Sequence, residues 1–108
     1  MNAELQEIVA KSADAADLHA PVPTLLLELQ SLLGALTATV TAATDRGRRP
    51  FRPTPDWPQR LGELAYGVYL LADQTSVEIS RAVAATAASV QQRGQQAQAA
   101  SDSEFWRS

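Results

Sequence analysis

Glu63 is the residue least at ease with its neighbours. It lies in the run Leu61-Gly62-Glu63-Leu64-Ala65-Tyr66-Gly67-Val68-Tyr69-Leu70-Leu71-Ala72-Asp73. Leu61, Leu64, Ala65, Val68, Leu71 and Ala72 recur at the i, i+3, i+4, i+7 spacing of a core-facing helix. Tyr66, Tyr69 and Leu70 cover a second face, so this helix is expected to meet two neighbours. An ionised carboxylate beside such a surface calls for a proton, a cation or hydrogen-bond donors. Tyr66 and Tyr69 suit stacking on a base, although aromatics at helical spacing more often serve a core or a subunit interface. A second cluster, Arg46, Arg48, Arg49 and Arg52, has the guanidinium forks that grip phosphates of a nucleotide or RNA. A solvated loop is the competing account, because only Phe51 is interleaved with it. His19, beside Pro21 and Pro23, reads as a surface residue rather than a ligand.

The elements that must carry these residues are bounded by composition. A chain of 108 residues is one small domain with a large surface for its volume. Hydrophobic residues make up 45%, but many are alanine, so association with further copies would supply missing apolar volume. A net charge of −3 gives no overall attraction for nucleic acid or an anionic membrane. No cysteine is present and there is a single histidine, which excludes disulfides, thiolate metal sites, cysteine nucleophiles and multi-histidine metal sites within one chain. No stretch reads as the roughly 20 apolar residues of a membrane span, and a cytoplasmic protein is expected.

Four helices are predicted. Leu5, Ile8, Val9, Ala13 and Ala16 mark a weakly amphipathic helix over residues 3–18. Pro23 suits the first turn of the next, where Leu25, Leu26, Leu29, Leu32, Leu33, Leu36 and Val40 form a core face over residues 24–44. Residues 45–57, rich in arginine and proline without periodicity, must be a loop. Asp56 as cap, Pro58 and Gln59 signal a helix from about 58 to 74. A Thr75-x-x-Glu78 capping box opens a fourth, with Val77, Ile79, Ala82, Val83, Ala87 and Val90 on its apolar side. The helical domain is expected to end at 92. Residues 93–108 read as a polar, flexible tail whose Phe105-Trp106 pair could dock a partner, pack on its own domain or be disordered. The expected fold is an all-α bundle of about four helices completed by homo-oligomerisation, as a dimer or tetramer.

The order of a Leu-rich helix with Glu28, an irregular loop, the Leu-Gly-Glu63 run closed by Leu-Ala-Asp73, and Val77-Glu78-Ile79-Ser80-Arg81-Ala82-Val83 resembles the MazG-like all-α nucleoside triphosphate pyrophosphohydrolases over about residues 22–90. The resemblance implies two helices presenting acid pairs, E-x-x-E and E-x-x-D, that hold Mg²⁺ against a nucleoside triphosphate. Residues three apart share a helix face, hard divalent cations take oxygen ligands, and two metals activate water and neutralise phosphate charge. Position by position, Glu28 stands for one acid of the first pair while Ser31 replaces the other. Glu63 stands for one acid of the second pair while Arg60 replaces the other. A Lys and an Asn that help to hold substrate in the family align with Thr86 and Val90. Arg60 places a fixed positive charge one turn from Glu63, where it pairs with the carboxylate and opposes a metal.

Three functions follow as expectations. The first is a MazG-like homo-oligomer that has lost most or all pyrophosphohydrolase activity and binds a nucleotide or phosphate or acts in assembly. Its candidate metal ligands are Glu28 and Glu63, with Mg²⁺ the candidate cofactor, and its candidate ligand-binding residues are Arg60, Tyr66, Arg48 and Arg49. The second is an active Mg²⁺-dependent enzyme. The third is a helical interaction module without a ligand.

Overall fold

The computed structural model describes residues 2–107, with side chains described over residues 4–102. Four helices, α1 (Asn2–Ala15), α2 (Val22–Ala43), α3 (Trp57–Gln74) and α4 (Ile79–Arg107), account for 77% of the chain, and the described residues contain no strand. The chain divides into two compact units, Met1–Val77 and Glu78–Ser108.

In the first unit α3 is the central helix and packs against both α2 and α1, but through Tyr66, Tyr69, Leu70 and Leu71, while Leu61, Ala65 and Val68 of the expected core stripe stay exposed. The core is small. Val9, Ala13, Leu25 and Leu70 are buried, with Ala20, Tyr66, Tyr69 and Leu71 packed against them. Gly67 sets the closeness of α2 and α3: a Cβ there would stand 2.7 Å from Leu29 Cδ2, so the two helices approach through the missing side chain. Many large apolar side chains stay outside this core, among them Ile8, Leu26, Leu27, Leu33, Leu61 and Val68, all exposed.

All three helices of this unit end in the same way. After α1, Leu18 N–H donates to Ala13 O and Asp17 N–H to Asp14 O; after α2, Arg46 N–H donates to Thr41 O and Asp45 N–H to Ala42 O. After α3, Val77 N–H donates to Ala72 O and Ser76 N–H to Asp73 O. These are paired Schellman closures, which satisfy the last orphan carbonyls. The residue that must turn left-handed is Asp17, Asp45 or Ser76, with φ of 56°, 48° and 58°, where glycine is the usual choice. The first helix therefore stops at Ala15 rather than continuing to Leu18.

Three expectations are corrected by the structure, two of them at helix ends. Thr75 does not cap α4; it closes α3, its hydroxyl donating back to Leu71 O and Ala72 O, because the turn at Ser76 follows at once. Asp56 precedes α3 but its side chain makes no capping bond. Its carboxylate is taken instead by the Thr54 hydroxyl and by Arg60, while Gln59 reaches forward to Glu63. Nor does the chain lack a stretch of membrane-spanning length. Helix α2 has 22 residues of mean hydropathy 1.4 over its most apolar window, which is 6% buried. Its only ionisable residue is Glu28, and Thr, Ala and Gly replace the charged face a typical surface helix carries, so length and composition alone would let it cross a bilayer.

In the second unit α4 runs on as helix to Arg107, well past the expected change to a structureless tail. Every described side chain from Arg81 to Asp102 is exposed, so burial does not hold it helical. Ala, Gln and Arg are among the strongest helix formers, and the segment is largely made of them. The Phe105-Trp106 pair lies outside the described side chains.

Candidate functional site

Helices α2 and α3 bring Glu28 and Glu63 to one place. Leu25, Leu29 and Leu32 from α2, with Tyr66, Gly67 and Leu70 from α3, form an apolar pocket of about 100 Å³. Both glutamates line it, and Leu18 from the α1–α2 linker adds a further wall. A wider depression of about 370 Å³ shares Leu32, Glu63 and Tyr66 and is floored by Gly62. The pocket exists because Gly67 draws the helices together while the larger leucines hold them apart on either side.

The two carboxylates differ in what surrounds them. Glu63 is half-buried, and its Oε1 accepts a hydrogen bond of 3.1 Å from Gln59 Nε2. Its Oε2 lies 3.8 Å from the Arg60 guanidinium, whose Nε is in turn 3.4 Å from Asp56 Oδ2. Arg60 thus ties two acids on one helix face. Glu28 is exposed and has no hydrogen-bond or ion-pair partner among the described residues. Ser31, at the place of a second acid, donates its hydroxyl to Leu27 O. Among the described residues no group of three or more His, Cys, Asp or Glu side chains could hold a metal ion. Two glutamates, one already paired with a guanidinium, do not make the donor set of a two-metal centre.

Tyr66 contributes its ring to the pocket while its hydroxyl shares a 2.7 Å hydrogen bond with Ser12 Oγ on α1. Asp56 is held below the ordinary carboxylate range, chiefly by the Thr54 hydroxyl, which outweighs the opposing desolvation, with lesser help from its own backbone and from Arg60.

One residue plays a part its position in the sequence did not suggest. His19 is half-buried, with Nε2 2.9 Å from Asp73 Oδ2 at the end of α3 and Nδ1 3.1 Å from Asp14 Oδ1 near the end of α1. The ring fixes the linker that bears Leu18, the wall of the pocket. The spacing of Asp14 from His19 was a usable local signal; the partnership with Asp73 needed the packing of α1 on α3.

The arginines of the 45–56 loop are separated by the fold. Arg48 turns to Asp45, 3.9 Å away. Arg49 and Arg52 instead line a depression of about 360 Å³ with Ala43 and Pro50. Arg52 was part of the arginine cluster but not among the expected ligand-binding residues; here it joins Arg49, and Arg48 does not.

Comparison with known proteins adds no relative: no protein-family model, no curated protein and no solved structure matches the chain.

Proposed function

We propose that the chain is a MazG-like helical protein that has lost pyrophosphohydrolase catalysis, assembles with further copies of itself, and binds a small ligand in the pocket between α2 and α3. One observation carries this reading: Glu28 and Glu63 share an apolar pocket, yet Arg60 and Gln59 already occupy the Glu63 carboxylate. One acid left at the place of each pair, with a guanidinium at the place of a third, is what loss of metal-dependent hydrolysis would leave behind. The assembly part rests on the exposed leucines of α2 and on Leu61 and Val68 of α3, since a small monomer rarely leaves so much apolar surface in water.

The test is incubation of the pure protein with a panel of nucleoside triphosphates and Mg²⁺ or Mn²⁺. No release of monophosphate and pyrophosphate is expected. Release that Glu63→Gln abolishes would overturn the proposal in favour of the active enzyme. Light scattering at micromolar concentration is expected to give a dimer or larger, and a monomer would contradict the assembly part.

A further inference from the structure

We propose that the 45–56 loop is a built phosphate-binding site, with Arg49 and Arg52 as its ligating residues, that works without metal and apart from the carboxylate pocket. It extends the binding reading above to a second place: about 22 Å of helical rise separates Glu28 from Ala43 along α2.

The first support is a charge that the fold leaves unspent. The segment carries four arginines and two aspartates. Both aspartates are engaged, Asp45 with Arg48 and Asp56 with Thr54 and Arg60. Arg46, Arg49 and Arg52 have no acidic partner among the described residues. In a chain of net charge −3, this is a local excess of positive charge, and guanidinium forks match phosphate oxygens in pairs.

The second support is a backbone already fixed before any ligand arrives. Thr44 is buried, its hydroxyl donating to Val40 O at 2.8 Å and accepting from Gly47 N–H at 3.1 Å. Arg49 N–H donates to Thr44 O at 3.0 Å. Asp45, Arg46 and Gly47 follow one another at φ of 48°, 60° and 87°, a sharp reversal that places Arg49 back over the end of α2. Beyond it, Phe51 packs tilted against Trp57 with ring centroids 4.8 Å apart, and Pro50, Pro53 and Pro55 restrict the chain between these anchors. The partial negative charge of the α2 terminus, which would oppose an anion, is blunted because its last carbonyls already accept turn N–H groups. Preorganisation of this kind lowers the entropy lost on binding.

The ligand class follows from shape and charge. A depression of about 360 Å³ lined by Arg49 and Arg52 has room for a compact di- or triphosphate group, whereas a long nucleic-acid backbone would leave the loop and meet an acidic chain. The experiment titrates inorganic tripolyphosphate, with chelator present, into the full-length protein by calorimetry and by phosphorus NMR. Saturable binding is expected, weakened at least about tenfold in the double variant Arg49→Gln/Arg52→Gln, which should leave circular dichroism and the melting temperature unchanged. Arg48→Gln and Glu28→Gln/Glu63→Gln should leave the affinity within about threefold. Absence of saturable binding, or equal loss in Arg48→Gln, would overturn the site. Loss in the glutamate variant would move the phosphate to the other pocket. A single-stranded RNA oligonucleotide that binds more tightly than tripolyphosphate with the same arginine dependence would overturn the small-ligand assignment.

Discussion

The carboxylate pocket and the arginine loop are two charged regions of the first unit, and they are built on opposite principles. The pocket is made by packing: its walls are leucines on two helices, Gly67 lets those helices approach, and its better-buried acid is paired with Arg60 and hydrogen-bonded by Gln59. The loop is made by backbone hydrogen bonds around Thr44, and three of its guanidinia have no counter-charge among the described residues. An acidic chain therefore has its most available charge in a positive loop. Availability is set by partners within the fold, and a count of charges along the sequence does not give it.

Perturbations should separate the two constructions. The largest effect is expected from Leu70→Ala, because Leu70 is 4% exposed in a core of very few buried side chains; a loss of about 2–5 kcal/mol by denaturant titration is expected. A loss below about 1 kcal/mol would mean that the pocket is not held by packing. Thr44→Val removes both the donor to Val40 O and the acceptor for Gly47 N–H, and should cost about 1–2 kcal/mol while weakening tripolyphosphate binding. Asp45→Gly relieves a left-handed residue and frees Arg48. It should stabilise the chain by about 0.5–1 kcal/mol and raise tripolyphosphate affinity. Arg49→Gln and Arg52→Gln should change stability by less than about 0.5 kcal/mol, since they carry charge and not structure.

The smallest expected effect is acid dependence. The Asp56 carboxylate titrates below its ordinary value in the folded chain. Its contribution is therefore present above the unfolded value of about 3.9 and is lost as pH falls through the folded one. Asp56→Asn should flatten that acid limb of the stability curve, measured by chemical denaturation across it, and an unchanged limb would show that Thr54 and Arg60 do not favour the ionised form.

Periodicity made α2 and α3 legible, together with the two neighbours of α3, because spacing along a helix fixes which residues share a face. Pro23 and Pro58 gave the first turns. What the sequence concealed were events at the ends. Thr75 and Asp56 are both good N-cap residues, and which way their side chains bond depends on a left-handed turn at Ser76 and on a competitor at Thr54. The extent of α4 was concealed because its composition offers little to bury, while its helicity follows propensity. That Glu28 and Glu63 line one pocket depends on how α2 packs on α3, which the pattern within either helix does not give, and the separation of Arg48 from Arg49 depended on φ at Asp45, Arg46 and Gly47, which no residue-type pattern specifies.

The His19 ring has a consequence for how the unit comes apart. One imidazole is shared by carboxylates on two helices that are otherwise joined by Val9, Ala13 and the Ser12–Tyr66 bond, so Asp14 and Asp73 are wired to each other through a third residue. Replacing either alone leaves the ring bound to the other; replacing both sets it loose. Double-mutant cycles on this pair should therefore give a non-zero interaction energy between side chains that never touch, and amide exchange should accelerate together at the last turns of α1 and α3.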